Sequence, residues 1–423
     1  MFDLVKFELK KIIARPSTRY TCLAVVLALC AIMTLNVLQT KTTSNTEEIL
    51  SGFDAIHQRQ AAAEEHAGVL SGDRVAEEVA AYYDLAFSEL DPSEIASMSN
   101  AAAYDAVSLT YDDETRSELY GAGYYPWLFS AWNSGGKEPI QVSALLGPDP
   151  EVPFYDAIEE KVQATLDDGQ GGSWVYSDAE RAFWTSKQQQ QVTEPLSYGY
   201  AGGWENIMDC VAFLPFAMIA VCVGLAPMFA SEYRERTDSV LLASRYGRTK
   251  LIGAKLAASF VFATAVFAVC AGFIFGVSLG AYGAGGGSLP VQVMALSSPF
   301  ALTMAQCAGI MVGLAYLITL GFAALTLLLS SVLRSVLSIF AIDVALVLLT
   351  GMVPTGGLGI LTHLVVLFPT SGLVAPTMFW RYMSYPLGGL VLDQPAMMAL
   401  VYGVMVLACV PLSAWAFRRH EVA

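Results

Sequence analysis

The stretch SEYRERTDSVLLASRYGRTKLIGAK, residues 231–255, decides how this chain is to be read. Six Lys/Arg lie in it: Arg234, Arg236, Arg245, Arg248, Lys250 and Lys255. It starts acidic, steps through the apolar Val240-Leu241-Leu242, breaks at Gly247 and restarts basic. Long apolar runs flank it on both sides. Short Lys/Arg-rich loops between apolar runs resist translocation, so this one is expected to face the cytoplasm.

The composition agrees with a membrane body. Of 423 residues, 55% are hydrophobic and 14% charged, and the mean hydropathy is +0.51. That is too apolar for an ordinary soluble domain. The net charge of −15 is unevenly spread. Residues 41–205 carry 29 Asp/Glu against 8 Lys/Arg, and the remainder carries 9 against 15. An acidic insert is therefore grafted onto a basic membrane body.

Apolar runs of the ~20 residues that a bilayer requires fall near 20–38, 207–230, 252–281, 300–329, 332–353 and 396–417. Fourteen Lys/Arg cluster on one side of them: Lys6, Lys10, Lys11, Arg15, Arg19, the six of the loop, Arg334, Arg418 and Arg419. The short segments of the other side hold only Arg381. Both termini are expected to be cytoplasmic, with residues 41–205 and 354–395 outside. The start reads as an uncleaved span, because Leu27-Ala28-Leu29-Cys30 lacks a small residue where cleavage needs one.

Before the first span, Phe2, Val5, Leu9, Ile12 and Ile13 share one helical face while Lys6, Lys10, Lys11 and Arg15 lie off it. Residues 1–16 are thus expected to form an amphipathic helix at the membrane surface, which also serves as the lead-in to the span 17–40. In the insert 41–205, Asn45 with Glu48, and Asp91-Pro92-Ser93-Glu94, read as helix starts. Further helices are expected at 151–167 and 177–191. The stretch 121–153, rich in Gly, Pro and aromatics such as Tyr124, Tyr125, Trp127 and Trp132, reads as loops over a small core. The acidic surface either attracts cations and cationic peptides or simply keeps the insert in solution. Residues 354–395 are apolar but cut by Gly356, Gly357, Pro369, Gly372, Pro376, Pro386 and Gly388. They read as re-entrant or interfacial helices, with Phe379, Trp380, Tyr382 and Tyr385 as an interfacial belt.

Little here points to covalent chemistry. No G-x-x-x-x-G-K-[ST] occurs, and Gly247-Arg248-Thr249-Lys250 has the wrong order. The histidines His57, His66, His363 and His420 make no H-E-x-x-H, and no G-x-S-x-G is present. The seven cysteines all fall in or beside apolar runs, with no zinc spacing. No metal, cofactor or nucleic-acid site is expected in the chain. Asp343 is the one acid deep in a span, where a charge costs about 2.5–3.5 kcal/mol. It either lines a translocation path or pairs helices, or is a structural acid held by hydrogen bonds. Gly272, Gly276 and Gly280, and likewise Gly309 and Gly313, have the spacing of close helix approach. Pro215 and Pro227 are expected to bend the second span.

Several of these features resemble ABC-2-type transporter permeases. The likeness runs over residues 1–40 and about 205–423. It rests on the amphipathic start, Tyr198-Gly199-Tyr200 through Trp204, Phe229-x-x-Glu232, Leu241-Leu242, Arg245-x-Gly247-Arg248 and Lys255. It implies an all-α polytopic membrane protein of six transmembrane helices, with short outer helices before the last and a mainly α extracellular domain. That domain sets the chain apart from short-loop members. The resemblance further implies that the 231–250 loop docks a separate ABC ATPase subunit carrying the ATP and Mg, and that a second permease subunit, the same or related, completes the pathway. The residues expected to carry the docking are Glu232, Arg236, Thr237, Leu241, Leu242, Arg245 and Arg248. The two leucines would plug a groove and the charges would set register. A positive-inside topology signal is the plainer reading of the same charges. The function implied is the permease subunit of an exporter in a bacterial plasma membrane. The alternative is a sensor or mechanotransmitter whose insert binds an external ligand. An intramembrane enzyme would need more convergent polar residues than Asp343 supplies.

Overall fold

The computed structural model describes residues 1–43, 49–120, 123–133, 135–172, 174–191, 195–237, 247–353 and 359–419. The helix start expected at Asn45 and Glu48 lies outside them. The chain is about 75% helical, with almost no sheet.

Among the described residues, five helices are long and apolar enough to cross a membrane: Pro16–Gln39, Gly202–Arg234, Thr249–Tyr282, Met304–Val332 and Gln394–Arg418. They are the first, second, third, fourth and sixth spans below. The fifth is shorter. Val336–Leu348 is α-helical and Leu349–Met352 continues it as a 3-10 turn. At 1.5 and 2.0 Å per residue the two reach about 27 Å, close to a hydrocarbon core. The second span is broken where proline forbids regular bonding. Val211–Phe213 is a 3-10 turn just before Pro215, which has no N–H to offer the Val211 carbonyl. A second break precedes Pro227.

Helices approach closely where side chains are missing. The sixth span packs along the fourth, and a Cβ at Gly321 would stand 2.6 Å from Met405 and 3.0 Å from Tyr402. Gly224 of the second span faces Phe262 of the third and Thr18 of the first in the same way. The expected glycines are not the ones used. Gly272, Gly276, Gly280, Gly309 and Gly313 have open space beside them.

The insert is a helical domain, with helices at Phe53–Glu65, Gly72–Ala86, Pro92–Ser97, Asn100–Thr110, Asp113–Tyr120, Phe154–Gly172 and Asp178–Gln191. Asp91 caps the third of these by accepting from the Ser93 amide. The region expected as loops contains two more helices, Tyr124–Phe129 and Pro139–Leu146. Both prolines, Pro126 and Pro139, sit in a first turn, where a missing N–H costs nothing. Tyr124, Tyr125, Leu128 and Phe129 fill the domain's core with Tyr82.

The segment before the last span holds the short helices Ile360–Val365 and Pro369–Gly372, a π turn Pro376–Trp380, and a hairpin of Ser384–Leu387 on Leu390–Asp393. The hairpin turns at Gly388-Gly389, both at positive φ, as a two-residue loop demands. Phe379, Tyr382 and Tyr385 do not face outward as a belt. They are buried as the seat of the insert, where Trp184 is fully enclosed against Phe300 and Tyr382. Tyr176 donates to the Tyr382 carbonyl at 2.7 Å, Trp127 to the Gln292 carbonyl at 2.8 Å, and Lys187 forms an ion pair with Asp393.

Candidate coupling site

On the side away from the insert, the second span runs out at Arg234. The chain leaves the helix through Arg236, a non-glycine residue at φ 54. Thr237 closes the end by bonding its amide to the Glu232 carbonyl at 3.0 Å. The chain returns through a π-helical turn, Gly247–Leu251, that feeds the third span without a break. π turns are uncommon and concentrate at functional sites.

Between these two feet lies a buried cluster of charges. Lys255, one turn into the third span, is fully buried. Its Nζ stands 2.6 Å from Glu232 Oε1, 3.2 Å from Glu8 Oε2 and 3.4 Å from the Met228 carbonyl. An ammonium has three donors, and here each has an acceptor. Glu8 and Glu232 are themselves 3% exposed. Lys11 adds a second cation 3.5 Å from Glu232 Oε1. Arg15 donates to the Gly224 and Pro227 carbonyls at 3.4 and 3.5 Å, where the second span is broken. The N-terminal helix, Phe2–Ala14, is thereby pinned across both feet of the loop.

The shell around the cluster is apolar: Ile12, Leu225, Phe229, Ile252, Phe262 and Phe417. Two further spans close it. The Ser330 hydroxyl of the fourth accepts from the Phe229 and Ala230 amides at 2.9 and 3.1 Å and donates to the Ala226 carbonyl at 2.7 Å. It supplies bonds at a helix start that Pro227 leaves short of them. Tyr233 donates to the Ser331 carbonyl at 2.9 Å and lies near Phe417 of the sixth span. A push on the loop would therefore reach five helices at one node. The node offers fixed charge and stiffness rather than bond-making chemistry.

The residues singled out from sequence fare differently. Glu232 is buried in the node, beside Lys255 and Lys11. Arg236 and Thr237 are exposed at the loop's start. Leu241, Leu242 and Arg245 lie outside the described residues, as does the Arg248 side chain, although its backbone belongs to the π turn. Asp343 is fully buried, with the Thr326 hydroxyl 2.8 Å from its Oδ2 and 2.8 Å from the Phe322 carbonyl. One hydroxyl proton can serve one acceptor at a time. The geometry is a contact between the fourth and fifth spans.

Sequence reading counted Lys255 only among the loop's basic residues and in the family pattern, and missed it, with Glu8, Lys11 and Arg15, as a member of the site. A signal for Glu8 was present: it sits among Val5, Leu9 and Ile12 on the face that packs inward, where a lone carboxylate calls for a partner.

The family model described as ABC-2 family transporter protein matches residues 4–422. No curated protein and no solved structure matches the chain.

Proposed function

The chain belongs to the ABC-2 transporter family, and we propose on that premise that its 231–250 loop is the seat of a separate ATPase subunit in an exporter. Membership makes it the transmembrane component of an ABC transporter and implies an ABC ATPase beside it. The loop and both ends of the chain then lie in the cytoplasm of a bacterial plasma membrane, the insert lies outside, and a second permease subunit faces this one. ATP-driven closure of the ATPases pushes the loop, and the spans tilt to switch access.

The observation that carries this reading is the buried Lys255–Glu232–Glu8 cluster at the loop's feet. A loop that only marked topology would have no need of it, because burying three charges costs several kcal/mol per ion before the pairs return it. The test is purification of the full chain from its host in mild detergent, with mass spectrometry of what accompanies it. The intact chain is expected to bring a Walker-motif ATPase, and the Leu241→Asp/Leu242→Asp variant to lose it. An intact chain that brings no ATPase would refute the docking role.

A second reading, a sensor of external ligands, draws on the seating of the insert. Lys187 binds Asp393, and Asp393 also caps the sixth span by accepting from the Ala396 amide at 2.9 Å. A ligand that moved the insert would move that helix. In a sensor, deleting the insert abolishes every response; in an exporter, efflux persists.

A further inference from the structure

The N-terminal helix has two faces, and among the described residues one of them packs against the rest of the chain. Val5, Leu9 and Ile12 pack inward with Glu8. Phe2 and Ile13, expected to share that face, instead stand with Phe7 on the outer side, and the three are 81%, 47% and 64% exposed respectively. Between them stand Lys6 and Lys10, four residues apart and both exposed, with Asp3 as the one acid on that side. At 100° per residue, Phe2, Ile13, Lys6, Lys10 and Phe7 fall within a single arc of about 140°. Aromatic rings at the edges of a basic strip make a face that water alone accommodates poorly.

The position of the helix limits what can meet this face. A single residue, Arg15, separates its end from the first span at Pro16, and Arg15 is tied to the second span. The helix therefore cannot leave the plane in which the spans exit the bilayer. Arg19, one turn into the first span, is exposed and donates to the Ile13 carbonyl at 2.8 Å, adding a third cation beside the strip.

From this geometry we infer that the outer face of residues 2–13 binds the phosphates of anionic lipids, with Phe2, Phe7 and Ile13 entering the acyl boundary. Apolar side chains set the depth, and the lysines supply a charge preference that zwitterionic lipid does not satisfy. Because the inner face holds Glu8 against Lys255, lipid occupancy and the loop's feet are joined through one rigid helix.

The test uses the full chain in detergent, with its thermal unfolding followed as phosphatidylglycerol, phosphatidylcholine or inorganic phosphate is added. Phosphatidylglycerol is expected to raise the unfolding temperature, while phosphatidylcholine and free phosphate are not. In Lys6→Gln/Lys10→Gln the half-saturating phosphatidylglycerol should rise roughly fivefold per lysine removed. Both lysines are exposed, so this variant is expected to unfold as the wild type does without lipid. Equal stabilisation by the two lipids, or an unchanged titration in the variant, overturns the inference. So does loss of a co-purifying ATPase from the variant, since the face would then be a protein contact. Folding of a variant is bypassed by placing a fluorescent amino acid at position 7 of an otherwise native chain. Quenching by brominated phosphatidylglycerol supports the inference, and no quenching overturns it.

Discussion

Lys255 is the residue that joins the N-terminal helix and the two feet of the loop. Removing one member of a buried ion cluster leaves the others uncompensated, at a cost of about 3–5 kcal/mol. Lys255→Met leaves Glu8 without its ammonium and Glu232 with Lys11, 3.5 Å away and partly exposed. We expect a large fall in thermal stability, read by tryptophan fluorescence in detergent. The triple variant Glu8→Gln/Glu232→Gln/Lys255→Met removes the three buried charges together, leaving the partly exposed Lys11 to water, and should recover most of that loss. A triple variant as unstable as the single would show that the apolar fit, and not charge balance, holds the node. Ser330→Ala is expected to cost about 1–3 kcal/mol, since it strips partners from two buried amides and a carbonyl at once. Glu180, in the insert, is pushed up by burial but held below its ordinary value of 4.5 by bonds from the Ser177 amide and hydroxyl, with Ser384 and Trp174 adding to them. A lowered carboxylate stabilises the fold above its unfolded pKa, and the contribution disappears as pH falls through the folded one. Docking of residues 174–191 should hold above pH 4.5 and loosen as pH falls below it; hydrogen exchange of that segment checks it. At this scale the sequence was legible where a charge interrupted an apolar pattern, as at Asp343, whereas Lys255 read only as one of the loop's basic residues. It was not legible for pairs, because Glu8 and Lys255 meet only once three helices have packed.

Among the elements, the spans followed directly from apolar length, and both breaks in the second span followed from Pro215 and Pro227. The hairpin 384–393 did not, although Gly388-Gly389 between apolar residues is a turn signal. In so proline- and glycine-rich a stretch the pair reads as two more breakers. The helices Tyr124–Phe129 and Pro139–Leu146 were missed for a related reason, since a proline in a first turn starts a helix as readily as it ends one. The interfacial belt failed because aromatic rings suit a protein seat as well as a lipid boundary. The clamp between the insert and the sixth span can be separated into its parts. Asp393→Asn keeps an N-cap and loses the ion pair, whereas Lys187→Met loses the pair alone. Both should speed hydrogen exchange in residues 178–191 and leave the first turn of the sixth span protected. Asp393→Ala should expose that turn as well.

At the scale of the whole molecule, the insert is seated on the ends of the spans, and the node gathers five helices on the far side. The sixth span touches both, through Asp393 at one end and Phe417 at the other. That arrangement suits the proposed transmission of movement, and family membership implies an ABC ATPase partner. The most direct measurement is photo-crosslinking in native membranes from a single reactive side chain at position 241. The account predicts an adduct with a nucleotide-binding ABC subunit, lost when the same side chain is placed on the insert. Adducts only with lipid, or only with another copy of this chain, would contradict the claim that the loop is an ATPase seat.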